Sequence, residues 1–152
     1  MTFWKLCEVY PDDCIELLFA RTVNQIKSTS QDIIDVYALF NIIGGDKGDF
    51  MVYNTFNELI KSSYDEWIIL KKQIVEVLKE KRLDNTYQIL IITNLMIILN
   101  NSYTWQSITK MENEVNAERI GEAATRFYNA VKDAYKEIQE ICIKTKFGKK
   151  EA

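Results

Sequence analysis

The stretch Asp84–Asn100, DNTYQILIITNLMIILN, constrains the fold of this chain more than any other part of its sequence. Within Ile89–Leu99 every residue is apolar except Thr93 and Asn94. Apolar residues in this number would cover all sides of a helix, and a helix that is apolar all round is usually a buried one. We therefore expect a central helix at residues 84–100, against which the other helices pack with their apolar faces.

Two buried strands are the alternative interpretation of this stretch, because isoleucine is β-branched and favours strands. The strands would be Gln88–Ile92 and Leu95–Leu99, and the chain would have to reverse between them at Thr93–Asn94. Neither Gly nor Pro is present there to make the turn, so the helix is favoured. The run is also too short for a transmembrane helix, which needs about 20 apolar residues.

Composition supports a helical domain. The chain has 152 residues, which is enough for one domain with its own core. Hydrophobic residues make up 47% and charged residues 27%, as is usual for a globular protein, and one Pro and five Gly are too few for a sandwich or barrel with many turns. We predict a single-domain all-α bundle of five to seven helices over residues 1–143, followed by a short basic tail at residues 144–152.

Capping and turn signals divide the chain into amphipathic helices. Pro11, followed by two aspartates, suits a first helical turn, and Ser28–Thr29–Ser30 predicts a turn. Thr55 and Ser63 each begin a capping box, and Asp84 or the residue after it can cap the central helix. The predicted helices are Pro11–Lys27, Gln31–Ile43, a short helix ending at Lys61, Tyr64–Arg82, the central helix ending at Asn100–Asn101–Ser102, Tyr103–Val115 and Asn116–Ile143.

Two segments are compatible with strands. Met1–Tyr10 suits a short helix or an edge strand, and Phe50–Asn54 suits a strand that pairs with it. Gly44–Asp49, with the sequence GGDKGD, is the only Gly-rich loop. It is not a phosphate-binding loop, since Lys47 precedes Gly48 and no Gly-Lys-Ser/Thr occurs, and its two aspartates are too few for a calcium loop. We interpret it as a solvent-exposed connection.

The last long helix, Asn116–Ile143, has the most regular pattern in the chain. Its apolar residues are spaced 4-3-4-3-4-3, which is a heptad seam. At 1.5 Å per residue the helix would be roughly 40 Å long. Either it crosses the whole bundle, or part of its seam meets another chain. The residues predicted to form such a protein interface are Ile120, Ala124, Phe127, Val131, Ala134 and Ile138.

Charge is distributed unevenly along the chain, whose net charge is −3. Residues 1–70 carry 5 basic and 11 acidic side chains, whereas residues 71–152 carry 14 basic and 11 acidic ones. Such an asymmetry can mark a partner surface. The candidates for contact with nucleic acid are the clustered basic residues of the second half: Lys71, Lys72, Lys79, Lys81, Arg82, Lys144, Lys146, Lys149 and Lys150. In size and helical texture, though in no motif or single residue, the chain resembles the small subunits of CRISPR effector complexes.

Several chemistries lack the residues they need. The chain has no His, which removes His-based triads and His metal ligands, so we predict no enzyme, no metal and no cofactor. Cys7, Cys14 and Cys142 form no CxxC pair, and we expect reduced thiols, with a Cys7–Cys14 bridge as the alternative. Met1–Tyr10 lacks the basic head and continuous apolar run of a signal peptide. These features predict a cytoplasmic protein that contacts no membrane.

Three functions fit these observations. The first is a non-enzymatic helical subunit that assembles through protein–protein contacts, either with itself or with a partner. The second is a small nucleic-acid-contacting subunit of a larger ribonucleoprotein, as the resemblance to CRISPR subunits implies. The third is a viral or host-modulating helical bundle that binds a partner helix in a groove. The absence of catalytic motifs and the heptad seam favour the first.

Overall fold

The protein is an all-α bundle. A computed structural model describes residues 5–6, 9–42, 49–80, 83–111 and 117–148. Four long helices account for nearly all of them, and Lys5, Leu6 and Val9 belong to a short helical segment that precedes these four. The long helices are α1 (Pro11–Ile42), α2 (Asp49–Lys79), α3 (Asn85–Met111) and α4 (Ala117–Gly148). The predicted fold class, with its long C-terminal helix, is confirmed.

The four helices form a ring in which α1 packs against α2 and α3, and α4 packs against the same two helices. Contacts between aromatic side chains show the directions in which the helices run. Phe19 of α1 lies 5.9 Å from Trp67 of α2, and Tyr135 of α4 lies 5.4 Å from the same Trp67. Because Phe56 contacts Tyr128 about three turns earlier on α2 and about two turns earlier on α4, these two helices run in the same direction. Helices α1 and α2 are antiparallel, as are α3 and α4.

This order places α2 and α3, which are consecutive in the chain, across a diagonal of the bundle. The short connection between them therefore crosses one end of the core, and Leu83 within it is buried. Asp84 then caps α3, because its carboxylate accepts a hydrogen bond of 3.0 Å from the backbone N–H of Tyr87. The predicted cap is confirmed, and the buried leucine anchors the crossing.

One core runs the length of the bundle. Its largest fully buried side chains come from all four helices and include both Trp67 and Trp105. The seam of α4 contributes a continuous row to this core and extends one step past its predicted end, because Thr145 is also buried. Helix α4 accordingly continues to Gly148, so the predicted tail at residues 144–152 begins too early. The apolar pattern does not predict this last turn, because threonine is polar.

The helices are longer than the sequence signals predicted. The predicted turn at Ser28–Thr29–Ser30 is wrong, since α1 runs through it. The strand at Phe50–Asn54 and the two capping boxes that follow are also wrong, since α2 is continuous from Asp49. Likewise α3 does not end at Asn100–Asn101–Ser102, and it includes most of the predicted helix Tyr103–Val115. The loop predicted at Gly44–Asp49 lies, up to its last residue, outside the described residues.

The polar side chains that suggested breaks are accommodated within the helices. Thr104 donates a hydrogen bond of 2.9 Å to the carbonyl of Asn100, and Asn101 donates one of 2.8 Å to the carbonyl of Ile97. Bonds of this kind to the preceding turn satisfy the side chains of Thr and Asn within a helix, at a small cost in helix stability. With no Gly or Pro at these positions, nothing forces the chain to turn.

Candidate functional site

The six predicted interface residues on α4 lie inside the chain's own core. Each has 4% or less of its surface exposed, and the helix that carries them packs against α2 and α3. Ile120 and Ile138 mark the two ends of this row. The heptad seam is therefore the internal packing of a helix that crosses the whole bundle. A partner chain would reach these side chains only if the bundle opened, so an interface has to use other residues.

The basic residues predicted to contact nucleic acid are only partly brought together. Lys71, Lys72 and Lys79 lie on one surface of α2, but Glu76 lies among them. The groove between α1 and α2 adds further acids, and Lys71 Nζ lies 4.0 Å from the carboxylate of Glu16. This surface therefore lacks the excess of positive charge that phosphate binding favours.

The remaining candidates for nucleic-acid contact do not extend this surface within the described residues. Lys144 is exposed on α4, which is a different helix. The side chain of Lys146 is not described, and the other four candidates lie outside the described residues: Lys81, Arg82, Lys149 and Lys150. Contact with nucleic acid stays a prediction.

Helix α3 has an outer surface unlike those of the other helices. Of its 27 residues, only Lys110 is charged. Its inward side supplies core residues such as Leu95 and Ile98, but Ile89 is 56% exposed and Ile97 is 42% exposed. The all-round burial expected of the central helix is therefore incomplete. The residues that form this outward stripe, here called the neutral face, are Ile89, Thr93, Met96, Ile97, Asn100 and Thr104.

The neutral face borders α1 along one side. Arg21 of α1 donates a hydrogen bond of 2.9 Å from its guanidinium to the phenol oxygen of Tyr103 on α3. Leu17, which is 62% exposed, lies four residues before Arg21 and therefore on the same side of α1. Sequence reasoning missed this surface because it assigned every apolar residue of the central stretch to the core. The signal that was available is the lack of charge from residue 85 to residue 109.

A groove separates α3 from α4 beside the end of the neutral face. It has a volume of about 450 Å³ and contains Arg119, Glu122 and Arg126 of α4. From α3 it receives the hydroxyl-bearing side chains of Tyr103, Thr104 and Ser107, and two apolar residues, Ile108 and Ala123, complete its lining. Sequence reasoning did not identify this groove, because its two sides are more than ten residues apart in the chain and meet only when α3 and α4 pair.

Polar side chains also lie between α1 and α3 in the interior. The hydroxyls of Thr29 and Ser102 are 2.6 Å apart, and the Ser102 hydroxyl donates a further bond of 2.9 Å to the side-chain oxygen of Gln25. Both hydroxyl-bearing residues are fully buried. Asn94, also buried, donates to the carbonyl of Leu90 at 2.8 Å, so its amide is satisfied by its own helix. We interpret these bonds as structural.

The titratable groups with shifted pKa values do not form a reactive cluster. Burial raises the pKa of the Cys142 thiol to about 11, so this thiol stays protonated and is a poor nucleophile. The pKa of Tyr135 is raised by burial, and to a lesser degree by Glu66 and Cys142. The pKa of Asp32 is raised by burial and by the neighbouring charge of Asp35.

The described residues also contain no group of three or more Cys, Asp or Glu side chains placed to hold a metal ion. Cys14 and Cys142 are free thiols buried in the core, whereas Cys7 lies outside the described residues. Over the same part of the chain, no helix combines the length and apolar character needed to cross a membrane.

Compared with known proteins, the chain matches no protein-family model, no curated protein and no solved structure. Its function is therefore inferred from its own surfaces. Among the described residues, the bundle packing does not explain the neutral face or the groove beside it.

Proposed function

We propose that this protein is a non-enzymatic helical interaction subunit that assembles with a second copy of itself through the neutral face of α3. The observation that carries the proposal is that the exposed residues described on α3 include no charged side chain but do include Ile89 and Ile97. A protein that only has to remain a soluble bundle gains nothing from such a face. Interface centres, in contrast, are depleted of charge and enriched in apolar residues.

The other helices support this assignment by contrast. The exposed surface of α4 carries charges of both signs along its length, from Glu118 to Lys144. That of α2 likewise carries acidic and basic residues, and its exposed Ile69 lies between Glu66 and Lys72. Charged side chains hold water, and removing that water on binding costs free energy. The six residues of the neutral face are uncharged, so this cost of desolvating charge does not arise there.

A second copy is the partner that best fits a face of this kind. In a twofold dimer the same patch meets itself, so each residue packs near its own symmetry mate. Charged patches can pair in this way only in a register that sets unlike charges together, whereas a neutral patch has no like-charge contact to avoid. The stripe from Ile89 to Thr104 is roughly 22 Å long, which suits a helix-on-helix contact between two copies of α3.

The flank of α1 extends this contact. Two helices alone bury less than the roughly 800 Å² per partner of a standard interface. Leu17 is exposed one turn before Arg21, the residue of α1 that contacts α3, and Tyr10, seven residues earlier, is exposed on the same side of the chain. We propose that these two side chains cover the edges of the α3 contact in the dimer.

The test is the absolute mass of the untagged protein, measured by light scattering behind size exclusion at about 0.1 mM, a concentration that detects even weak dimers. The wild-type chain is expected to run as a dimer. Ile97→Asp places a charge in the centre of the neutral face and is expected to yield a folded monomer, with its helix content by circular dichroism unchanged. Ile69→Asp is the control, because Ile69 on α2 is also an exposed isoleucine, at 57% against 42% for Ile97, and lies outside the neutral face.

A wild-type monomer at this concentration would contradict the proposal. So would a dimer that dissociates equally in Ile97→Asp and Ile69→Asp, since that result would reflect added charge rather than the neutral face. Absorbance recorded at two wavelengths detects co-purifying nucleic acid. Excess ultraviolet absorbance from nucleic acid, on a particle that contains one copy of the chain, would favour the ribonucleoprotein alternative instead.

A further inference from the structure

The groove between α3 and α4 concentrates arginine. The chain has only four arginines. Two of them, Arg119 and Arg126, line the groove from α4, and a third, Arg21, contacts Tyr103 on its opposite wall. The rest of the basic charge of this chain is lysine. Arginine differs from lysine in offering a rigid planar fork of N–H donors that matches phosphate and carboxylate oxygens.

The opposite wall of the groove offers hydroxyl donors. The phenol oxygen of Tyr103 accepts its hydrogen bond from Arg21, so the O–H hydrogen of Tyr103 can be donated to a ligand. Ser107 supplies a second hydroxyl. Thr104 directs its own hydrogen to the carbonyl of Asn100, which leaves its oxygen as an acceptor. The groove therefore has donors on both walls, and the only carboxylate in its described lining is that of Glu122.

The N-terminal end of α4 adds to the positive potential in the groove. The helix begins at Ala117, so Arg119 lies in its first turn, where the helix dipole gives a partial positive charge. Anions are favoured near such an end. Here the helix end is not alone, because the groove beside it also contains two guanidinium groups.

We propose that this groove binds the phosphate group of a phosphorylated ligand, held between Arg119 and Arg126 on one wall and the hydroxyls of Tyr103 and Ser107 on the other. A volume of about 450 Å³ is larger than one phosphate needs and lies within the range of small-molecule sites. The remainder of the ligand would lie against Ile108 and Ala123. The proposal does not depend on dimer formation, because the groove belongs to a single chain.

Glu122 gives the proposal a distinctive consequence. It lies between the two arginines along α4 and lines the same groove, so its carboxylate competes with a bound anion for their N–H donors. Replacing it with glutamine removes the competitor and leaves the side-chain shape almost unchanged. A groove that binds phosphate should therefore bind it more tightly in Glu122→Gln.

The experiment is a calorimetric titration of the full chain with two probes, pyrophosphate and a nucleoside monophosphate, at about 0.1 M ionic strength so that long-range attraction is screened. Arg126→Gln is expected to weaken binding at least tenfold, because it removes a bidentate contact, and Glu122→Gln is expected to strengthen it severalfold. Lys132→Gln is the matched control, since it removes one positive charge from an exposed position on the same helix outside the groove. Binding to this control should equal binding to the wild type.

Two results would overturn the proposal. The first is no detectable binding of either probe at roughly 1 mM, which is the limit of a meaningful site. The second is equal weakening by Arg126→Gln and Lys132→Gln, which would mean a response to net charge alone. A single-stranded oligouridylate serves as a third probe. If it binds far more tightly than the nucleotide and still requires Arg126, the phosphate comes from RNA rather than from a small molecule.

The proposed dimer and the proposed phosphate site can be tested independently of each other. Ile97→Asp should abolish the dimer and leave nucleotide binding intact, whereas Arg126→Gln should do the reverse. If Ile97→Asp removed both properties while its helix content remained unchanged, the groove would depend on assembly, and its assignment to a single chain would be wrong.

Discussion

At the scale of single residues, the interior of this bundle contains several polar side chains. Thr22, Ser30 and the indole N–H of Trp105 are buried without a hydrogen-bond partner among the described residues, whereas Thr29 and Ser102 bond to each other between α1 and α3. Leaving a buried hydroxyl unpaired costs about 1 to 3 kcal/mol, which an apolar residue would avoid. The Thr29–Ser102 bond forms in one register of the two helices only, so it favours the observed pairing over shifted ones.

Cys142 gives a pH-dependent prediction at the same scale. Burial raises its pKa from an ordinary value near 9 to about 11, so the folded state holds the thiol proton more tightly than the unfolded state does. The stability that this contributes is complete below pH 9 and is lost as the pH rises toward 11. In urea titrations across this range, the wild type should lose more stability than Cys142→Ala, which lacks the thiol and with it the smaller contribution of Cys142 to the raised pKa of Tyr135. Parallel curves for the two proteins would contradict the assigned burial.

At the scale of helices, the sequence predicted the type of each long element but not its ends. The distribution of apolar residues correctly predicts helix for all four long elements, because those residues form the shared core. Clusters of serine, threonine and asparagine predict breaks, because these residues often cap helices. In Ser28–Thr29–Ser30 the last two of these side chains face the core instead, so tertiary contact outweighs the local preference.

The continuity of α1 can be tested at this cluster. Ser28 is exposed in the middle of the helix, so Ser28→Pro removes a backbone hydrogen bond and clashes with the preceding turn. We expect a loss of about 3 kcal/mol or more in the free energy of unfolding, measured with urea. Ser28→Ala, as control, should change that free energy by less than about 0.5 kcal/mol, since alanine is a good helix former. A proline variant as stable as the wild type would mean that the chain turns there.

The candidate surfaces show why function is harder to read than fold. The groove brings Tyr103 and Arg126 together only through the antiparallel pairing of α3 and α4, which no local pattern encodes. The lack of charge on the neutral face was visible in the sequence, but the sequence does not distinguish a buried isoleucine from an exposed one. Ile89 and Ile98 differ only in which side of α3 they occupy, and that is decided by where the neighbouring helices lie.

At the scale of the whole molecule, the diagonal crossing between α2 and α3 ties the bundle into one unit. Without it, α1 with α2 and α3 with α4 would be two separate hairpins. Because Leu83 is buried at the crossing and the core draws on all four helices, neither hairpin can open without exposing the other. We therefore expect residues 11–148 to unfold in one cooperative transition, as small single domains usually do.

Two tryptophans allow this cooperativity to be measured. Trp67 lies in the hairpin of α1 and α2, and Trp105 lies in that of α3 and α4. The third tryptophan of the chain, Trp4, is replaced by phenylalanine in both variants. In Trp4→Phe/Trp105→Phe the fluorescence change then reports mainly the first hairpin, and in Trp4→Phe/Trp67→Phe mainly the second. Within each variant, the urea midpoint from fluorescence should coincide with the midpoint from circular dichroism, which reports all helices. Comparison within one variant removes the effect of each substitution on overall stability. If fluorescence and circular dichroism gave separate midpoints in either variant, the hairpins would be independent units and the single-domain assignment would be wrong.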